Sequence, residues 1–294
     1  MNDMRRWFRR KLLGMTFEGT VLYIITVALM LFSILPLIYL ISSAFKPLDE
    51  ILRFPPRFFV RKPTFDNFSA LLISLGSNAV PFLRYVYNSL LTTVLTVSAT
   101  VIISILGAYG IVIHAPKGSA ILMQIVIGAL MFSPYVTQIP NYLVVTGLGL
   151  FNSYGALIIP KIAMAYNFFL MERFMRGVPR TLIESARMDG AGELRICFRI
   201  VSPLLKPAIA TLIVLSFISS WNDGFSPLVF IVSQAMKTLP VAMATIAGGV
   251  GVTDLGRVGA TMAAALLTTM PTIIVFTVMQ GKVMKTMAHS GIKA

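Results

Sequence analysis

The chain has a single cysteine, Cys197, and two histidines among its 294 residues. One thiol excludes any disulfide within the chain, so the redox compartment cannot be read from cysteine usage and Cys197 is expected to be a packing residue. No Cys/His metal cluster, HExxH pair or nucleophile elbow occurs, which removes the common metal-dependent and nucleophilic enzyme classes. A phosphate-binding loop is missing too. Gly251 and Gly256 are spaced like one, but Arg257-Val258 stands where Lys and then Ser or Thr are needed. Acidic residues are scarce, 11 Asp and Glu against 25 Lys and Arg, for a net charge of +14. Such an excess invites a nucleic-acid reading, but the basic residues cluster at the ends of apolar runs and form no continuous stripe.

What the chain has instead is hydrocarbon. It is 56% hydrophobic and 12% charged, with a mean hydropathy of +0.83. A bilayer crossing takes about 20 apolar residues, and six runs approach that length: 21–41, 85–113, 121–142, 154–171, 208–230 and 260–278. The fold expected is therefore all-α and polytopic, with six transmembrane helices across residues 20–281. A basic, aromatic segment (1–19) precedes them and a polar tail (282–294) follows. The first run is too long for a signal peptide and reads as an uncleaved helix. Pro134 and Pro140 predict a kink or break in the third run. Residues 45–82 read as an irregular, proline-bearing extramembrane segment, and 233–258 as a Gly-rich loop. With both termini in the cytoplasm, the inner segments hold 16 basic residues and the outer ones 7, which favours that orientation.

The segment 173–206 is the one charge-dense stretch between two runs. Thr181 and Glu184 stand in the Thr-x-x-Glu relation of a capping box, Pro179 precedes them, and Gly190 suits a helix end. A helix over 181–189 follows, too short to be stable alone in water. Ser185 and Ala186 on its central face would let a groove approach closely, so the expected role is docking rather than mere connection. After Gly190 a second polar helical piece leads to Pro203 and Pro207.

Glu184-Ser185-Ala186, three residues, Gly190, nine residues, then Ile200-x-Ser202-Pro203 resembles the Glu-Ala-Ala…Gly…Ile-x-Leu-Pro signature of ABC-importer permease subunits. Ser185 and Ser202 depart from it, at small or peripheral positions. The resemblance implies a type I permease fold whose loop is a coupling helix seated in an ATPase cleft. Thr181, Glu184, Ser185, Ala186, Asp189, Gly190, Ile200 and Pro203 would be its coupling residues. It also implies a second homologous permease, two ATPase subunits that carry ATP and Mg, and an extracytoplasmic binding protein. No cofactor is expected on this chain and no nucleic acid among its partners. The cell membrane is the expected location, and ATP hydrolysis would belong to another subunit.

Trp221-Asn222-Asp223 lies inside the fifth run, where polar groups are costly and face a cavity, a partner or a pathway. With Pro227-Leu228 it resembles the fifth span of maltose- and multiple-sugar-type permeases, which favours sugar as cargo. The competing reading is local: Asn222 and Asp223 satisfy backbone groups freed near Gly224 and Pro227. Lys161 is expected to snorkel or pair locally, and Asn88-Ser89 to bond between helices. Thr238-Leu239-Pro240-Val241 resembles the family's outer-loop segment. It makes Gly248, Gly249 and Gly251 either the tip that meets the binding protein or part of an ordinary connector. The tail, with Ser290-Gly291-Ile292-Lys293, resembles the family's terminal Gly-Ala-Val-Lys, with Thr286 and Ser290 replacing glycines. The alternatives are a non-sugar cargo or a secondary transporter, for which Asp223 would be the one intramembrane carboxylate available for ion coupling.

Overall fold

The computed structural model describes residues 17–76, 80–248 and 256–290, and among them the regular structure is helical, with no strand. Contacts divide it into two compact units, residues 1–71 with 250–266, and residues 72–249 with 267–294.

In the first unit, α1 (Phe17–Ala44) is a 28-residue apolar helix whose flanks stay exposed. Burial begins only at Ser42, Ser43 and Ala44. The proline-bearing stretch that follows is held by side chains in place of a regular ladder. The Ser42 hydroxyl donates to the Phe58 carbonyl and accepts from the Val60 N–H. The Glu50 carboxylate, on the short α2 (Leu48–Ile51), accepts from the N–H groups of Arg61 and Lys62. Asn67, in α3 (Asp66–Gly76), donates to the carbonyls of Ala44 and Lys46. Buried backbone groups need such partners, so this segment is packed within its own unit. Gly259 must be glycine here, because a Cβ would sit 2.1 Å from the Asn67 Oδ1.

In the second unit, α4 (Phe82–Val112) is the central helix and packs against α7 (Tyr154–Ile162), α8 (Ala165–Met175) and α12 (Lys206–Trp221). Seven of its twelve buried residues are small and polar. Asn88, Ser89, Thr92, Thr93, Thr96, Thr100 and Ser104 run along its buried face, residues of the kind that let membrane helices approach closely.

The third apolar run is divided. The helix stops at α5 (Ser119–Leu130), passes through turns, and resumes as α6 (Gln138–Gly147). Pro134 cannot donate to a helix ladder. Pro140 is tolerated because it lies in the first turn of α6, where N–H groups have no intrahelical acceptor. The kink or break expected in the run 121–142 is thus a break, which falls at Pro134, while Pro140 lies inside α6. The fourth run is interrupted after Pro160 but remains a candidate span over Tyr154–Met175. The fifth breaks at Asn222–Gly224 between α12 and α13 (Phe225–Phe230). The Gly-rich loop reading is also corrected, since much of it is α14 (Leu239–Gly248). Leu239 and Val241 are buried there, and that burial outweighs the low propensity of glycine and proline. The last helix, α15 (Gly256–Ser290), runs 35 residues into the basic tail.

Four described helices are long and apolar enough to cross a bilayer, and a fifth crossing arises if a pair bent by 85° is counted as one. That pair is residues 193–204 with α12, hinged at Leu205 just ahead of Pro207.

Candidate functional site: a clamped loop helix and a polar cavity

The loop helix exists as α9 (Arg180–Met188). Its start differs from expectation. The N-cap is Pro179, with extended φ −62° and ψ 126°, and no side chain caps the helix. Thr181 is therefore already inside the first turn, where its carbonyl accepts from the Ser185 hydroxyl, and the Thr181–Glu184 capping box does not form. A proline N-cap fixes the extended entry, and this overrides the weaker preference of a threonine one position too far along.

The end of α9 is as the glycine requires. Gly190 has φ +78°, its N–H reaches the Arg187 carbonyl, and the Ala191 N–H reaches that of Ala186, both at 3.0 Å. These two bonds make a Schellman motif.

One face of α9 belongs to the chain itself. Ile183 and Ala186 are buried in a cluster with Met171, Met175, Ile196, Cys197 and Leu212. Ala186 thus packs inward and leaves no room at its own position for a groove. Thr181, Leu182, Glu184, Ser185, Met188, Asp189 and Gly190 are exposed, Met188 to 88%. Beyond Gly190 come α10 (Glu193–Arg195), a π-helical turn (Ile196–Val201) and α11 (Ser202–Leu204). The Ser202 hydroxyl bonds the Cys197 carbonyl five residues back, in step with the widened turn. Ile200 packs against the buried cluster, and Pro203 is exposed.

The sequence reading missed what ties these pieces together. Glu193 accepts from Arg187 Nε at 2.8 Å and Nη2 at 3.3 Å, and from the Tyr109 hydroxyl at 2.6 Å. His114 Nε2 stands 3.5 Å from the same carboxylate. One acid thus joins α9 to the end of α4 and the turn after it. The Arg187 hydrogen bond first, then the Tyr109 hydroxyl, holds the Glu193 carboxyl below the usual glutamate range. Glu172 in α8 is fully buried and pairs with Arg176 one turn on.

A second feature lies among α6, α7, α12 and α13: a cavity of about 680 Å³. Its wall carries Thr137, Gln138, Asn141, Tyr142, Ser219 and Ser226 beside apolar Pro134, Ile139, Met164, Val229 and Phe230. Lys161 and Asp223 both line it and pair at 2.6 Å, with 14% and 13% of their side chains exposed. Lys161 therefore pairs rather than snorkels. Asp223 also accepts from the N–H groups of Phe225 and Ser226, which starts α13.

Of the three residues singled out in the fifth run, Asp223 lines this cavity. Trp221 is buried, stacked on Phe217, and donates to the Thr268 carbonyl in α15. Asn222 donates back to Ile218. Asn88 donates to the Ala235 and Lys237 carbonyls and accepts from the Tyr154 hydroxyl, and the Ser89 hydroxyl accepts from the Leu239 N–H. Asn152, at φ +55°, accepts from Val232 and Ser233. The segment before α14 is thereby pinned from both sides. Gly248 ends α14, while Gly249 and Gly251 lie outside the described residues.

Residues 70–289 match the model of a family described as binding-protein-dependent transport system inner membrane component. The chain is 30% identical over 274 residues to the arabinooligosaccharides transport system permease protein AraQ of Bacillus subtilis (strain 168), covering 92% of this chain and 95% of that protein. It is 31% identical over 222 residues to the melibiose/raffinose/stachyose import permease protein MelC of the same organism, covering 74% and 76% respectively. Among solved structures, it is similar to a chain from a bacterial ABC transporter involved in the import of the acidic polysaccharide alginate. The TM-score is 0.79 at 24% identity, over 91% of this chain and 98% of that one. The fold is that of an ABC-importer permease.

Proposed function

The chain belongs to the family of inner membrane components of binding-protein-dependent transport systems, and on that premise we propose that it is the permease subunit of an ATP-driven sugar importer. The cargo is a sugar or oligosaccharide handed over by an extracytoplasmic binding protein, as the names of AraQ and MelC suggest. The chain is a multi-pass membrane component, and ATP hydrolysis belongs to a separate ATPase subunit that binds ATP and Mg. A second, homologous permease and two ATPase subunits complete the assembly, and both termini of this chain face the cytoplasm. Six crossings fit this reading if α5 with α6 makes the third and α12 with α13 the fifth.

α9 is the coupling helix in this proposal, with Thr181, Glu184, Ser185 and Asp189 at the ATPase surface. Ala186, Ile200 and Gly190 shape it from within the chain, and Pro203 follows on the connecting piece. The observation that carries the reading is the division of α9 into two faces. Ile183 and Ala186 are locked into the protein's own core, while Leu182 and Met188 stay exposed on a short helix that needs a partner. Closing the ATPase dimer on nucleotide would pull this rigid, glycine-stopped element and rock the spans between inward and outward openings. Asp223 belongs to the pathway here, and Trp221 and Asn222 support the break that places it. Gly248, Gly249 and Gly251 would reach the binding protein.

The test is ATP-driven uptake in proteoliposomes holding the whole complex. Glu184→Lys, Met188→Arg and Gly190→Val are each expected to lower uptake at least tenfold while the chain still inserts and purifies. A bulky residue at φ +78° strains α9's end by about 1–2 kcal/mol. Wild-type uptake by all three would remove the coupling role.

A further inference from the structure

Two charged side chains in the second unit lie outside the residues of α9 proposed to meet the ATPase. Lys161 and Asp223 are paired, mostly buried, and sit on the wall of the 680 Å³ cavity. That volume lies within the roughly 300–1,000 Å³ of ordinary small-molecule sites. Among the described residues they are its only charged lining groups, and together they carry no net charge.

Around the pair the chemistry is that of hydroxyl recognition. An ammonium has three donors, and among the described residues Lys161 spends one on Asp223. The Gln138 and Asn141 amides offer both a donor and an acceptor on the same wall. Tyr142 supplies a flat face, held by stacking on Phe230 at 5.9 Å and 14°. Past Lys161 a smaller cavity of about 260 Å³ continues. It is lined by Thr96 and Ser216, whose buried hydroxyls have no partner among the described residues. Polar groups left open at this depth call for something that both donates and accepts.

Resting on the reading of the chain as a sugar-importer permease, we propose that this subunit itself binds one uncharged sugar residue in the cavity, its ring on Tyr142 and its hydroxyls at the Lys161–Asp223 pair. The pair acts as a charge filter. A uronate or phosphate reaching the remaining Lys161 donors would have to sit beside Asp223, setting two anions together in a poorly solvated site. A hydroxyl inserts without breaking the neutrality, because it donates to the carboxylate and accepts from the ammonium.

The test is equilibrium binding to the purified importer complex in nanodiscs, by titration calorimetry, with the binding protein left out so that it does not select the cargo. Raffinose is the neutral probe and digalacturonate the acidic one. The wild type is expected to bind raffinose at least tenfold more tightly than digalacturonate. Tyr142→Ala should weaken raffinose binding at least tenfold. Asp223→Asn keeps an oxygen to start α13 but uncovers the Lys161 charge, and should move the ratio at least tenfold toward digalacturonate. The double change Lys161→Gln with Asp223→Asn, neutral again, should return it. Equal binding of both probes by the wild type, no binding of either, or a ratio unmoved by Asp223→Asn would each overturn the proposal. ATP-driven uptake with the binding protein present is measured in parallel. If uptake persists while the cavity fails these tests, only this inference falls; if uptake is absent, the transport reading falls with it.

Discussion

Glu193 is the residue on which the loop's geometry converges, since it alone gathers Arg187, Tyr109 and His114. Being 43% exposed, its bonds are weakened by water, and pairs of this kind are worth about 0.2–1 kcal/mol. Glu193→Gln should therefore leave thermal stability within about 1 kcal/mol of wild type yet loosen α9 against α4. The carboxyl titrates below the free-glutamate value. Its stabilisation is thus complete above the unfolded-state pKa and lost as pH falls through the depressed one. Protection factors across residues 187–193, with each exchange rate divided into its intrinsic value at that pH, are expected to fall on acidification in the wild type. In Glu193→Gln they should already be low at neutral pH and lose that dependence. Unchanged exchange in the variant at pH 7 would show that Glu193 does not hold the loop.

Among elements, α4 makes much of its packing through buried small polar residues. Its Asn88 is fully buried and fills three hydrogen bonds, two to backbone of the segment before α14 and one from Tyr154. Asn88→Ala leaves two carbonyls and a phenol without their partner. Each such orphaned group costs about 1–3 kcal/mol, so the segment 231–239 should loosen ahead of the rest. Limited proteolysis there should speed up at least tenfold, and wild-type cleavage rates would refute the pinning role. The two-part third run follows the same logic of backbone supply. Pro134 removes a donor where the helix stops, while Pro140 costs nothing because α6 restarts just before it.

At the scale of the molecule, exposure of α9 can be read chemically. The only cysteine, Cys197, is buried, so wild-type protein offers a low background to thiol reagents. Met188→Cys introduces a thiol at a site that is 88% exposed. In right-side-out vesicles an impermeant maleimide should leave it unlabelled, and in inverted vesicles lacking the ATPase it should label fully. Adding the ATPase back should protect it. Labelling from outside would reverse the orientation and end the coupling proposal, since the loop helix would face away from ATP.

The amino-acid sequence alone settled the membrane class, the rough position of each apolar run, and the stop of α9 at Gly190. Each depends on local properties, namely run length, residue size and the backbone freedom of one glycine. It also held the family signature, whose spacing lies within a single loop. The start of α9 escaped it, because Pro179 and Thr181 both signal a helix entry and only the folded backbone shows which prevails. Tertiary structure alone disclosed that Lys161 answers Asp223, that Glu193 answers Tyr109 and Arg187, and that Asn88 holds backbone 147 and 149 residues away. Lys161, read singly, was left either to snorkel or to pair with an unnamed neighbour, and Glu193 was one more charge in a polar loop. A buried ion's partner depends on which helix faces it, and that is decided by packing between distant segments rather than by any pattern along the chain.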